Sequence, residues 1–295
     1  MHQIHNPIDQ QDLDAARVQR IAAFSDGAQG GNPAGVWIGE ALPDEATMQR
    51  IAHKIGYSET AFAAPLADGW RVRYFSPESE VPFCGHATIA LGAALAASHG
   101  DGVYPLTLND AAITVEGRRG VGVDGAVLTS AALQSPPTRS SAAPGEVVER
   151  ALALFGYRSG DLDPRIPPGL AHGGADHLVL ALRSRELLAA MRYELDAGRR
   201  FMRELGLVTV VLVWAESDTL LHTRNPFASG GVYEDPATGA STAALGGYLR
   251  DLGWPHGGAI DIVQGEDMGM RSRLRAAIGS EKGGSIRVSG TARSI

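Results

Sequence analysis

Two ionisable residues interrupt an internal repeat, and they are the first candidates for chemistry. His86 directly follows a turn glycine in the first copy, and Asp235 lies four residues before the equivalent glycine in the second. Their repeat partners are the uncharged residues Ala240 and Val81. An imidazole and a carboxylate can transfer protons or orient a charged substrate. Each also has a structural alternative, His86 as a first-turn surface residue and Asp235 as a cap of the second helix or its turn.

Cys84 precedes the first turn glycine and is the only cysteine of the chain. Free cysteines are usually buried, but a helix N-terminus would lower the pKa of the thiol and make it reactive. Both interpretations remain open from the sequence. One cysteine excludes an intramolecular disulfide, and nothing resembles a Cys/His metal site, so we predict no metal.

The elements that must position these residues are the two copies of the repeat. Residues 80–95 read EVPFCGHATIALGAAL and residues 234–249 read EDPATGASTAALGGYL, with eight of sixteen pairs identical; unrelated segments would share about one or two. The small and apolar residues after each glycine predict a buried helix. A free helix N-terminus attracts an anion. Two such ends facing one cleft, at Gly85 and Gly239, would hold a carboxylate; alternatively, each glycine serves only tight packing.

The composition restricts the partners. The 295 residues contain 33 Asp+Glu and 26 Lys+Arg, a net charge of −7, and no basic run exceeds two residues, so nucleic acid is not expected. No apolar stretch approaches the 18 residues of a membrane span. The polar N-terminal segment, residues 1–16, is expected to be a loosely ordered extension and lacks the features of a signal peptide, which predicts a cytoplasmic protein.

Short alternating segments between Gly and Asn-Asp turns predict strands on both sides of each repeat copy. Each half therefore combines antiparallel sheet with one buried helix, an α+β fold. A Pro- and Ser-rich stretch at residues 134–144 (QSPPTRSSAAP) is the expected crossing between the halves.

Four motifs carry a resemblance to a known family. In chain order they are GNPAGV at 31–36, SETAF at 58–62, PFCGHAT at 82–88 and EDPATG at 234–239. Together they resemble the PhzF-like family of phenazine-biosynthesis isomerases, which shares the fold of diaminopimelate epimerase. The resemblance covers the chain from about residue 17 to its end.

This resemblance implies two pseudo-symmetric domains, each a curled, mostly antiparallel sheet around a central helix. We predict one domain at residues 17–131 plus 284–295 and the other at 132–283. The resemblance further implies a cofactor-free active site between them and a homodimer. The substrate it implies is a small carboxylate-bearing molecule, amino-acid-like or cyclic.

Site roles follow from the same resemblance. Glu59 corresponds to the general acid/base that moves a proton between carbon atoms, while His86 and Asp235 orient the substrate and relay or stabilise charge. Spacing alone did not single out Glu59. The predicted substrate-binding residues are Asn32, Gly85, Thr238, Gly239, Ala240 and Ser241.

Two departures from the family pattern concern the pocket. The family commonly has Ser where this chain has Ala240, with Ser241 following, and its Arg-x-Phe-x-Pro approach is replaced by the sequence at 224–227 (RNPF). Two alternatives therefore stay open. One is a dehydratase or racemase-like enzyme using Cys84 and Thr238; the other is a non-catalytic small-molecule-binding protein.

Overall fold

The computed structural model describes residues 16–121 and 127–295. Its helices are α1 (Glu45–Ile55), α2 (Gly85–His99), α3 (Gly145–Phe155), α4 (Arg185–Ala189), α5 (Leu195–Glu204) and α6 (Gly239–Asp251). Its strands are β1 (Gln19–Ala23), β2 (Asn32–Ile38), β3 (Thr60–Leu66), β4 (Gly69–Phe75), β5 (Glu80–Val81), β6 (Gly102–Thr107), β7 (Ala112–Val121), β8 (Val127–Gln134), β9 (Arg139–Ala142), β10 (Gly169–His172), β11 (Asp176–Ala181), β12 (Thr209–Ala215), β13 (Leu220–Phe227), β14 (Val232–Asp235), β15 (Ala259–Gln264), β16 (Ser272–Ile278) and β17 (Ile286–Ser294). The predicted N-terminal extension lies outside the described residues, apart from Ala16.

Eight strands curl into a closed ring around α2. Their order is β1, β2, β3, β4, β6, β7, β8, β17 and back to β1. The pairs β2/β3 and β4/β6 are parallel, and the others are antiparallel. The sheet thus surrounds the first repeat helix, which packs against strands on several sides of the ring.

A second ring surrounds α6 and repeats this pattern. Its strands run β9, β10, β11, β12, β13, β15, β16 and β17, with the parallel pairs β11/β12 and β13/β15 in the equivalent places. Backbone hydrogen bonds from Thr138 to Gly283 and from Ser135 to Ile286 close it. The predicted α+β fold with two pseudo-symmetric halves is confirmed, while the exact domain limits stay a prediction because β17 pairs in both rings.

Both repeat helices are buried, as their composition predicts. Every residue from His86 to Ala96 in α2 is buried, as are Gly239 and residues 241–249 of α6. A helix that is apolar on all sides can be stable only inside a closed shell of protein. The two rings supply that shell, and each helix N-terminus then lies at the rim of its own ring.

An arginine on the strand before each turn holds that turn through an ion pair with a glutamate. In the first half Arg73 donates to Glu80, with Nε 2.7 Å from Oε1, and in the second Arg224 donates to Glu234, with Nε 3.0 Å from Oε1. In both pairs a second guanidinium nitrogen bonds the other carboxylate oxygen. Bidentate pairs of this kind fix geometry as well as charge. They explain why the glutamate is identical in the two repeat copies.

Within the described residues, no helix is long and apolar enough to cross a membrane.

The repeat predicts opposite outcomes for one substitution at equivalent positions. A Cβ at Gly92 would lie 2.5 Å from Val115 Cγ2, whereas a Cβ at Gly246 would meet no atom closer than 3.5 Å. We expect Gly92→Ala to reduce the free energy of unfolding by about 1–3 kcal/mol through overpacking. Gly246→Ala should raise it by about 0.5–1 kcal/mol because alanine favours the helix. Urea denaturation of both variants tests this, and equal stabilities would contradict the close approach of α2 to β7.

Candidate active site

The N-termini of α2 and α6 meet in one cleft between the two rings. A Cβ built on Gly85 would lie 4.0 Å from Gly239 Cα. The cleft has a volume of about 380 Å³. Among the residues that line it are Asn32, Tyr57, Ser58, Glu59, Cys84, Gly85, His86, Asp235, Thr238, Gly239 and Ala240. All predicted site residues except Ser241 therefore face one space.

The two first-turn glycines leave room in front of the helix ends. Among the described residues, leaving aside the chain neighbours and the backbone of the same helix, only Gly239 comes within 4 Å of a Cβ built on Gly85, and the atom nearest to a Cβ built on Gly239 is 3.7 Å away. Neither residue has a positive φ. Tight packing and backbone conformation therefore do not require glycine here. The N-cap residues Cys84 and Thr238 make no side-chain cap bond, so first-turn N–H groups remain available to a ligand.

Glu59 and His86 form a carboxylate–imidazole pair within the cleft. His86 Nε2 lies 3.4 Å from Glu59 Oε2 and 3.4 Å from Ser58 Oγ. Glu59 immediately precedes β3, and its carbonyl accepts a hydrogen bond from the Gly35 amide, which fixes the backbone. His86 is only 7% exposed, so its interpretation as a surface residue is wrong.

Asp235 faces the pair from the other half of the molecule. Asn32 donates to its Oδ1 at 2.8 Å, and the Thr238 hydroxyl donates to its Oδ2. Burial raises the pKa of Asp235 to about 6, and the negative charge of Glu59 adds to this, while His86 and both hydrogen bonds act in the opposite direction. Asp235 therefore braces the turn before α6 and also presents a titratable carboxylate to the cleft.

Two amide side chains tie the second turn to its surroundings. Asn32, on β2 of the first ring, also donates to the Ala237 carbonyl at 3.0 Å and so joins the two halves directly at the site. Gln264, at the end of β15, accepts from the Thr238 amide at 3.2 Å and donates to the Asp235 carbonyl at 2.7 Å. Sequence analysis missed Gln264, and its only signal was a polar residue at the end of an apolar strand.

Cys84 does not behave as its position suggested. Its thiol is buried 3.3 Å from His86 Nδ1. Burial raises its pKa well above the ordinary value, and the negative charges of Glu59 and Asp235 raise it further. The expectation that the helix N-terminus lowers this pKa is wrong, because desolvation and two nearby carboxylates outweigh the helix dipole.

The site contains one set of side chains that could ligate a metal. Ligand atoms of Glu59, Cys84 and His86 all lie within 4.8 Å of one another. Carboxylate, thiolate and imidazole are ligands that zinc accepts. The absence of a metal therefore stays a prediction.

The two residues after Gly239 have different surroundings. Ala240 lines the cleft, whereas Ser241 is 2% exposed. The Ser241 hydroxyl donates to the Thr238 carbonyl at 3.0 Å and accepts from Asn225. The side chain of Ser241 therefore does not replace the hydroxyl that Ala240 lacks, and its role in substrate binding stays a prediction.

The class of the protein follows from its relatives. The chain is 32% identical over 239 residues to an uncharacterized isomerase of Deinococcus radiodurans, covering 80% of this chain and 77% of the relative. It is 28% identical over 290 residues to an uncharacterized isomerase of Bacillus subtilis, covering 95% and 96%. Both relatives are named isomerases, and the protein is an isomerase.

The family is equally clear. Residues 21–295 match the PhzC-PhzF family, described as phenazine biosynthesis-like protein, and the chain belongs to that family. The crystal structure of a Bacillus anthracis phenazine biosynthesis protein of the PhzF family superimposes with a TM-score of 0.81 at 22% identity, covering 94% of this chain and 96% of that chain. The predicted family is thus confirmed.

Replacing Gly85 or Gly239 with alanine tests whether the open space at the helix ends serves ligand binding rather than packing. The added methyl fits, so we expect the unfolding temperature to change by only a few degrees. The methyl would narrow the space in front of the helix ends and keep a carboxylate away from the first-turn N–H groups. Carboxylate affinity and turnover should therefore fall at least about tenfold, as expected when oriented hydrogen-bond donors are lost. Gly92→Ala is the opposite control, because it loses stability away from the cleft. Unchanged binding in both cleft variants would show that the helix ends do not contact the ligand.

Asp235→Asn should alter the pH dependence of stability. The folded pKa of about 6 exceeds the ordinary value of 3.8, so native Asp235 keeps a proton that the unfolded chain has lost between these values. The contribution of Asp235 to stability therefore falls as pH rises from about 4 to 6, and Asp235→Asn lacks this loss. Relative to wild type, the variant should gain up to about 3 kcal/mol from pH 4 to pH 7.

Urea denaturation at both pH values measures this gain. Asp44→Asn is the control, because Asp44 is an exposed N-cap whose pKa is lowered by its hydrogen bonds to Thr47. The control variant should show almost no shift between pH 4 and pH 7, because a pKa lowered below 3.8 changes stability only at more acidic pH. A pH-independent difference for Asp235→Asn would contradict the burial of the carboxylate.

Proposed function

We propose that this protein is a cofactor-independent isomerase that moves a proton between two carbon atoms of a small carboxylate-bearing substrate. The substrate is amino-acid-like or cyclic, and Glu59 is the acid/base. One observation carries the proposal. The Glu59–His86 pair, with 3.4 Å between Oε2 and Nε2, lies in the same cleft as the two uncapped helix N-termini.

The helix N-termini supply the first requirement of this chemistry. Removing a proton from carbon next to a carboxylate leaves an enolate-like charge on its oxygens. N–H groups aimed at those oxygens stabilise that charge without needing to reorient. The open space at Gly85 and Gly239 lets a carboxylate approach these donors closely.

Glu59 supplies the second requirement. Its carboxylate takes the proton from one carbon, the electron pair of the C–H bond moves into the conjugated system, and a second carbon receives the proton from the resulting carboxylic acid. The proton and the electron pair are both returned, so the reaction needs no external oxidant or reductant. The side chain of Glu59 is 17% exposed, which agrees with a base that meets its substrate inside the cleft.

His86 and Asp235 fit supporting roles. His86 lies 3.4 Å from Glu59, so it can orient the Glu59 carboxylate and stabilise the charge that changes there. Asp235 accepts from Asn32 and Thr238 and can also accept from an amino or hydroxyl group of the substrate. The proposed binding set remains Asn32, Gly85, Thr238, Gly239, Ala240 and Ser241, the last through its backbone.

The alternatives have weaker support. A Cys84/Thr238 dehydratase or racemase would need a thiolate, and the raised pKa of Cys84 opposes its formation. A binding protein without turnover would not need Glu59 beside His86. The homodimer and the biosynthetic role remain proposals from the resemblance, and the domain limits remain a prediction. The cytoplasmic location remains a proposal from the polar N-terminal segment.

Solvent deuterium incorporation tests the function directly. We expect wild type to incorporate deuterium into at least one member of a panel of unsaturated cyclic amino acids, α-amino acids and hydroxyprolines. Glu59→Gln removes the base and should slow incorporation by at least about a hundredfold. Cys84→Ala should retain incorporation. Mass spectrometry of the recovered compounds gives the measurement.

Glu78→Gln is the matched control, because Glu78 is exposed outside the cleft. Full incorporation by folded Glu59→Gln would refute the assigned base. Loss of incorporation in folded Cys84→Ala would instead favour thiol chemistry.

A further inference from the structure

A second cavity adjoins the paired helix ends. It has a volume of about 250 Å³. Phe83, Gly85, Gly239 and Ala240 line both this cavity and the catalytic cleft. The two spaces therefore meet at these four residues, here called the shared wall, and Glu59, His86 and Asp235 line the cleft alone.

The walls of the second cavity are mainly apolar. Pro82, Leu108, Ala111, Ile113, Leu133 and Pro136 contribute side chains to it. Of the lining residues that the structure describes, Asp110 alone carries a charge, and that residue is exposed. Leu108 and Leu133 are 5% and 7% exposed and belong to the core of the protein, so this part of the wall is firmly held. An apolar cavity beside anion-attracting helix ends suits an amphipathic acid.

The shared wall has no side chain that would reject an apolar group. Its side chains are the methyl group of Ala240 and the ring of Phe83, and the two glycines contribute none. The Phe83 ring is 39% exposed and packs edge-on against Tyr74, with 6.2 Å between ring centroids. Phe83 therefore offers an ordered apolar surface where the two spaces meet.

We propose that this cavity receives an apolar extension of the substrate. The substrate class is then a carboxylic acid whose carboxylate lies between the helix ends, whose reacting carbons lie beside Glu59, and whose aliphatic or cyclic extension enters the second cavity. The catalytic half of this assignment rests on the proposed function. An apolar cavity of about 150 Å³ accommodates benzene, so the second cavity accepts a group of roughly six carbons.

Binding of unbranched carboxylates tests the extension. Acetate, butyrate, hexanoate and octanoate are titrated by NMR against Glu59→Gln, which retains both cavities without the proposed base. Each buried methylene is worth about 0.8 kcal/mol, or about fourfold in affinity. We expect the affinity to rise about three- to fourfold per methylene and to level off once the cavity is full.

A cavity-filling variant locates the chain. Thr114 lies on β7 and lines the second cavity but not the cleft. Adding Thr114→Trp should remove the gain with chain length and leave acetate binding unchanged. Val103→Trp, at a 62% exposed position on β6 that lines neither space, is the matched control and should retain the gain. Gln134→Trp fills the same cavity from β8 if Thr114→Trp does not fold.

Two results would overturn this inference. One is an affinity that does not change with chain length. The other is a gain that survives the filling variants, which would mean that the chain enters the catalytic cleft instead. Neither result depends on proton transfer. Failure of deuterium incorporation would refute the proposed reaction while leaving the binding series valid, so the two proposals fail separately.

Discussion

The structure depends on two buried helices whose uncapped N-termini meet at the same place. The first N–H groups of any helix have no partner within the helix, and leaving them unsatisfied away from water is costly. Here neither Cys84 nor Thr238 caps its helix, and the glycines that follow leave open space. A ligand or water must therefore complete both ends. The closed rings and the Arg–Glu ion pairs at the two turns can be understood as the means of holding these two N-termini face to face across the cleft.

The internal symmetry supplies the scaffold, and its interruptions supply the chemistry. The ion pairs Arg73–Glu80 and Arg224–Glu234 occupy equivalent places and hold each turn against the preceding strand. The positions that differ between the copies, such as Asp235, carry groups that only one side of the cleft needs. Asn32 then crosses from the first ring to the second turn. Its contact couples the relative position of the two halves to the geometry of the site.

The two buried helices could be predicted from the sequence, and for a physical reason. The repeat predicted both helices, because a local run of small apolar residues is sufficient evidence of burial. The closed rings were not predictable from pattern alone, since β17 pairs with β1 and β8, which are far away in the chain. Glu59 required the family resemblance because a glutamate before a strand is usually solvated. The burial of Cys84 was the expected one, but its raised pKa was not predictable because it depends on carboxylates that only the fold brings near.

The charges in the cleft are coupled through Glu59. Its negative charge contributes to the raised pKa of Asp235 and of Cys84. In the proposed reaction Glu59 gains a proton and loses its negative charge, while the substrate gains that charge in front of the helix ends. The net charge of the cleft therefore stays constant, and burial, the main cause of the raised pKa of Asp235, is unchanged. The proposed proton transfer thus moves negative charge from Glu59 towards the helix N–H groups without requiring the backbone to move, which suits a site built between two closed rings.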